Sequence, residues 1–592
     1  MPVFPSSRAG RTALALAFFG AATLGLCALA GRARLARADF AFTSGGEVRS
    51  LDPHAVTGIP EGRIIRTLFE GLVVRHPMSL VPSPGVAHAW DIDSEGLIYT
   101  FHLREGARWS NDDPVTAHDF EWSFRRLLEP ETAAEYASQL WCVAGAREFT
   151  TGRDASGAEL TRDWSRVGIR ALDERTLEIR LSSPAPIFLD VLTMPALSPV
   201  HRRSLEATRA QFPDTWQVQW TKPERLVTNG PFRLLERRLN DRMRFVKNTS
   251  YWDADHVALR TIDALAIESW TSALNLYSTG ELDWVDGAIP TSLVPRLLGR
   301  EDFKPAPYLG IYFYRINTTK APLDDVRVRQ ALAAAVGRRE ICDKLLKAGQ
   351  KPATTFVPWG AVGHYKSPPG MNESLGAARA ILGRMGLWNA EEGASLPALE
   401  IHYNSSEVHR DIAEVIAAQW QVGLGLDVRL RNQEWKAFLD AQAALDYDIS
   451  RSSWIADYVD PSSFLEIWVS GGENNRTGWS NAGFDELIER ARVDRDPARR
   501  TELYQRAEQI LLNEAPIIPI YSYVSQNLLD PRVGGFFANE LNQPSPKHWY
   551  WMDDEDLAQV RAAPGRRGQR VESHGPPDGL YAPAATREER AK

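Results

Sequence analysis

Two hydrophobic periods interleave throughout residues 39–552, and that mixture narrows the possible folds more than any other feature. Leu97, Tyr99, Phe101 and Leu103 alternate with polar neighbours, as do Leu177, Ile179 and Leu181. A period of two places one face of a strand on a core. Elsewhere the period is helical. Phe120, Phe124, Leu127 and Leu128 share one face, and Thr116 with Asp119 forms a capping-box start. Phe484, Leu487, Ile488 and Ala491 follow the i, i+3, i+4, i+7 rule, and Leu503, Ala507, Ile510 and Leu511 do much the same. Strands and helices that alternate over such a stretch predict an α/β or α+β architecture. No repeat of fixed period is present.

With 592 residues, 44% of them hydrophobic, the chain exceeds what one core holds, since single cores stop growing near roughly 250–300 residues. The net charge of -8 comes from interspersed acids and bases, with no long basic stripe, which argues against a nucleic-acid partner. The N-terminus reads as an export signal over residues 1–38. Arg8 and Arg11 precede an apolar run from Thr12 to Ala30, and small-x-small sites end at Ala30 and Ala38. Cleavage after Ala38 is predicted, because folded patterning begins at Asp39. The competing reading is an uncleaved anchor, since the run nearly spans a bilayer. Beyond the signal only Cys142 and Cys342 remain, too few for a disulfide framework, and both are read as buried thiols. Residues 553–592 are rich in Arg, Pro, Gly, Ala and Glu, and are read as a disordered tail.

Enzyme signatures are missing. The chain has no Gly-x-Ser-x-Gly elbow, no His-Glu-x-x-His helix and no phosphate-binding loop of the Walker type. Its 12 histidines are scattered, without ligand-like spacing beside a carboxylate. No cofactor or metal is therefore expected, and an enzyme would need residues gathered by folding alone. The 19 tryptophans are mostly core, with a subset available to line a ligand cavity.

Five collinear segments carry a resemblance. They are 50–73, 100–120 (TFHLREGARWSNDDPVTAHDF), 226–253 with its Asn-Gly-Pro-Phe run, 312–341, and 432–465. Together they resemble the peptide-binding substrate-binding proteins of ABC importers, family 5, across roughly 40–550. The last segment is similar to oligopeptide-binding members in particular. The resemblance implies a two-lobe α/β periplasmic binding protein fold (type II, cluster C) with an extra third domain. Lobe I is expected at 39–70, 194–309 and 521–552, the extra domain at 71–193, and lobe II at 310–520. It also implies a periplasmic monomer that captures short peptides and delivers them to importer permease subunits. The alternatives are a membrane-tethered peptide sensor or chaperone without an importer, and a hydrolase on the same scaffold.

Such a site has definite physical needs. A peptide brings an ammonium and a carboxylate, and each is costly to bury unless paired. Its backbone needs partners too, which an open strand edge supplies. In similar proteins the acid of the Trp-x-Ala-Asp-Tyr motif takes the ammonium, and here that acid is Asp457. The resemblance gives Arg451 the carboxylate of shorter ligands, and gives His409, within Tyr403–His409, that of longer ones. Trp435 resembles a pocket-lining residue. Backbone contacts are expected from Gly58–Pro60, centred on Ile59, and from Ser452–Trp454, which include Ser453 and Trp454. Tyr308 and Phe313 lie on a strand expected to cross between lobes, as wall or core. Thr57 stands where some oligopeptide binders carry an acid.

Overall fold

The computed structural model describes residues 36–562, apart from 155, 288, 359–364 and 372. The run Thr12–Ala30, with Arg8 and Arg11, lies outside the described residues. So do residues 563–592 of the expected tail.

The helical and strand periods fold as they read. Thr116 caps the helix Ala117–Leu128 through a complete capping box with Asp119, and Phe120, Phe124, Leu127 and Leu128 are fully buried. Helices Ala482–Val493 and Pro497–Glu514 bury the faces expected of them. Strands Ile98–Leu103 and Thr176–Arg180 pair antiparallel inside a four-stranded sheet, between Ala87–Ile92 and Ile169–Ala171. Trp109, Trp220, Trp284, Trp420, Trp468 and Trp549 are fully buried core. Cys342 is buried and Cys142 half-buried, both as free thiols.

One 11-stranded sheet organises the rest. At one end, Phe40–Gly45 lies parallel to Thr261–Ala266, followed by the antiparallel pair Arg242–Lys247 and Phe232–Arg238. At the other end, Leu399–Asn404 is parallel to both Val428–Gln433 and Ile449–Ile455. Two long antiparallel strands, Phe303–Ile316 and Ile517–Leu529, join these halves. Their pairing breaks between Pro307 and Ile311. Pro305 and Pro307 offer no N–H to the ladder there, and the Leu309 N–H donates to the Glu540 carbonyl instead. A Cβ on Gly310 would lie 2.4 Å from the Ile455 Cδ1, so a larger residue here would require the Ile455 side chain to move. A weakened pair of strands between two cores is the place where a two-lobe molecule bends.

The cores follow this division. One cluster joins Phe40, Ile262 and Trp284 with Phe101, Phe120 and Leu177, so the four-stranded sheet shares its core with the first half of the large sheet. Separate clusters lie around Tyr312, Ile401 and Trp420, and around Phe313, Phe356 and Trp468. Phe313 is thus core.

One boundary is corrected. The chain does not lose structure at 553. A helix spans Asp554–Ala562, buries Leu557 and Val560, and ties Arg561 to Glu301 at 3.1 Å. Two apolar side chains one turn apart hold it down despite the polar composition around them. Upstream of Asp39, Ala38 is buried and Arg37 bonds Asp283 at 2.7 Å.

Candidate functional site

The segment 449–461 builds the centre of the site. Strand Ile449–Ile455 pairs along one edge with residues 310–316 of the crossing strand. Along its other edge it pairs with Leu399–Asn404 only at Ile449 and Ser450. The Ala456 N–H donates to the Leu309 carbonyl, which fixes the alternation. Even-numbered residues turn their N–H and C=O towards the crossing strand. Ser453 and Ile455 therefore present theirs on the edge that has no neighbouring strand among the described residues. Arg451 belongs to the same set, and its carbonyl is already taken by the Gln442 side chain at 2.9 Å.

The strand ends in a tight turn that holds two acids in different ways. Asp460 receives a bidentate bond from Arg500 at 2.5 and 2.7 Å and accepts from the Ser462 N–H, so it is structural. Asp457 makes no salt bridge among the described residues. Its N–H donates to the Ser463 hydroxyl at 3.1 Å, and the Tyr136 hydroxyl donates to its Oδ1 at 3.3 Å. Arg75 reaches only its carbonyl oxygen, at 3.3 Å, while its guanidinium bonds the Asp190 carboxylate at 3.0 Å. Burial raises the Asp457 carboxyl above the ordinary range, offset in part by Tyr136 and Arg75. Trp454 sits beside this turn, its indole N–H donating to the Ser463 carbonyl at 2.5 Å.

Asp457 opens on a cavity of about 220 Å³ that also takes in Gly58, Ile59, Tyr136 and Ile455. Ile59 starts the helix Ile59–Leu68, and for a large apolar residue it is unusually exposed, at 41%. It lines a second cavity of about 420 Å³ as well, together with Tyr308, Tyr523 and Val408. Both cavities draw residues from both halves of the large sheet, so they are parts of one cleft with Ile59 between them.

Arg451 lies towards the second cavity. Its guanidinium donates to Asn404 Oδ1 at 3.3 Å and to the Tyr523 hydroxyl at 3.4 Å, and stacks 4.9 Å over the Tyr312 ring. No carboxylate is within salt-bridge distance among the described residues, and its buried Nε has no acceptor. His409 lies against Tyr312, with 3.4 Å from Nδ1 to the hydroxyl. Burial, with Arg451 adding to it, lowers the His409 imidazole to about 3, so at neutral pH it is an uncharged hydrogen-bonding group.

The structure therefore gathers Asp457, Ile59, Ser453 and Trp454 at one end and Arg451, His409 and Tyr308 at the other. Trp435 is not drawn in. It begins the helix Trp435–Ala443, is 51% exposed, stacks on Phe438 and lines neither cavity. Tyr136, Arg75 and Tyr523 escaped the sequence reading. Tyr136 and Arg75 lie within residues 71–193, far from the motif in sequence, and only Tyr523 left a trace, in its alternation with Tyr521. Among the described residues, no group of three or more His, Cys, Asp or Glu side chains is placed to hold a metal ion.

Residues 81–476 match the model of the bacterial extracellular solute-binding proteins, family 5. The periplasmic oligopeptide-binding protein OppA of Salmonella typhimurium is 36% identical over 84% of this chain and 89% of its own length. Among solved structures, the Escherichia coli murein tripeptide-binding protein MppA superposes with a TM-score of 0.72 at 32% identity, covering 88% of this chain and 99% of that one. Haemophilus influenzae OppA in complex with the peptide RPPGFSPFR gives 0.70 at 31% identity, over 87% and 99%.

Proposed function

The chain belongs to the bacterial extracellular solute-binding proteins of family 5, and on that footing we propose that it captures short peptides in the cleft and hands them to an ABC importer. One observation carries the reading. Asp457 lines the cleft and Arg451 lies behind its Tyr523 wall, neither makes a salt bridge among the described residues, and between them runs an open strand edge. Every other need of a bound peptide follows from that arrangement. Its ammonium pairs with Asp457, its carboxylate with Arg451 and the Tyr523 hydroxyl, and its backbone with Ser453 and Ile455. Neutral His409 donates or accepts beside Arg451. Five residues lie between Arg451 and Asp457, and the six steps from one to the other span at most roughly 20 Å at about 3.3 Å per residue. With side-chain reach at both ends, peptides of about three to five residues fit that span.

Membership of a solute-binding family supports binding as the role. Lobe I comprises 39–70, 194–309 and 521–552, lobe II 310–520, and closure bends the crossing strands at 307–311. The mature protein works as a monomer outside the cytoplasmic membrane, with permease subunits as partners. Relatives of that location support this, and among the described residues no helix is long and apolar enough to cross a membrane. The Arg37 bond to Asp283 and the burial of Ala38 favour Gly31 over Asp39 as the mature N-terminus, which mass spectrometry of the secreted protein reads directly.

Calorimetry with Ala-Ala-Ala-Ala tests the reading, using its N-acetylated and C-amidated forms as controls. The free peptide should bind, and each capped form should bind at least tenfold more weakly. Equal affinities for all three would overturn it.

A further inference from the structure

Beyond Asp457 the cleft continues inward. The cavity of about 220 Å³ shares Arg66, Arg75, Thr193, Met194, Pro195 and Gln543 with a smaller chamber of about 90 Å³. These are two rooms of one pocket, and Arg66 stands in the wall common to both. Apart from Asp457, which the peptide ammonium takes in the reading above, three other charged groups around them already have partners. Arg75 bonds Asp190, and Lys547 bonds Asp253 at 2.7 Å. Glu70 accepts from the Trp252 indole at 2.6 Å and from the Tyr251 hydroxyl. Arg66 differs. It is half-buried, its guanidinium packs near Gly62 and Pro195, and among the described residues it makes no hydrogen bond or ion pair. Burial, with Arg75 and Arg63 adding to it, lowers it to about 9, a cost that no partner among the described residues offsets. Thr57, on the same wall, brings no charge.

A confined cation without an anion is a site for one. Asp457 opens on the same outer room, so a peptide whose ammonium meets Asp457 places its first side chain beside Arg66. We propose that Arg66 makes this pocket selective for a carboxylate on the first residue of the peptide, so that glutamate there is preferred over its neutral isostere glutamine. The inference rests on the peptide reading above and adds the side-chain class at one position. The amino group and the first side chain are then read by opposite charges within one pocket.

Calorimetry on the intact protein with Glu-Ala-Ala-Ala, Gln-Ala-Ala-Ala and Ala-Ala-Ala-Ala decides it. The glutamate peptide should bind at least tenfold more tightly than the glutamine peptide. Arg66→Met should remove that ratio while holding glutamine and alanine affinities within about threefold. Arg66→Lys, which retains a charge, should keep part of it. If wild type binds all three peptides alike, Arg66 is not a specificity residue, and the peptide reading stands untouched. If none of the three binds, the peptide reading falls and takes this inference with it. The wild-type comparison needs no variant, so a variant that fails to fold does not shield the idea.

Discussion

At one end of the cleft, Asp457 sits on a turn and takes its neighbours from three parts of the chain. Tyr136 and Arg75 come from the region beside the four-stranded sheet, and Ile59 from a helix of the first half of the large sheet. At the other end, Arg451 sits inside a strand, held by Asn404, Tyr312 and Tyr523 from neighbouring strands. Apart from Tyr523 on the crossing strand and Tyr308, the Arg451 end is therefore assembled within one half of the sheet. The Asp457 end is complete only when separate parts converge. Carboxylate capture is thus expected to tolerate an open cleft, whereas ammonium capture is coupled to closure. The energetic state of the two ends differs in the same sense. Burial works against the charge of Asp457, while a ring face and two polar oxygens surround Arg451.

The largest effect expected from this contrast is at Asp457. Asp457→Asn keeps the shape and removes the charge, leaving a buried ammonium unpaired at a cost of about 3–5 kcal/mol, or roughly a hundredfold to several thousandfold in affinity. Calorimetry should show the loss for free peptide and almost none for N-acetylated peptide, which has no ammonium to pair. Wild-type affinity in this variant would remove Asp457 from the site.

Arg451→Gln should cost less, about 2–3 kcal/mol, because Asn404 and the Tyr523 hydroxyl still offer hydrogen bonds to the carboxylate. A C-amidated peptide should be nearly indifferent to the change. If small-angle scattering shows Arg451→Gln blocking ligand-driven compaction while Asp457→Asn leaves it intact, the assignment of closure to the ammonium end is reversed.

Acidification comes next in size. Peptide binding needs ionised Asp457, and burial lifts its carboxyl in the free protein above the ordinary range. Affinity should be full above that raised value and fall as the pH drops through it, by up to about tenfold per pH unit. The fall should begin at higher pH than an unperturbed carboxylate permits. His409, held to about 3, contributes nothing between pH 7 and 4.5. Titration calorimetry over that range checks the curve, and Asp457→Asn should flatten it.

The smallest effect is expected at Tyr136. Tyr136→Phe removes one hydrogen bond to Oδ1 and should weaken binding by about 1 kcal/mol, roughly fivefold. Tyr523→Phe, the matching change at the other end, should act on free but not amidated peptides. Finding both changes silent would show the hydroxyls to be bystanders and leave the charges to act alone.

The sequence by itself determined the family, the α/β class and the segment on which the proposed site is centred, because those signals are local. Hydrophobic period fixes which face of a helix or strand is buried, and Phe120, Phe124, Leu177 and Ile179 occupy the core as the pattern requires. Asp457, Arg451 and the strand between them lie within seven consecutive residues, so one motif carries them. Tertiary structure decided the rest. Tyr136 lies 321 residues from Asp457 and Arg75 lies 382, separations over which neither propensity nor period holds information. It also chose between the two acids of one turn, giving Arg500 to Asp460 and leaving Asp457 open. It left Trp435 outside the gathered residues, and it kept a helix at Asp554–Ala562 where composition alone read a tail. The physical reason is common to all of these. Local pattern reports which surface is buried, but which charge meets which partner depends on packing between segments distant in the chain, and only the folded molecule sets that.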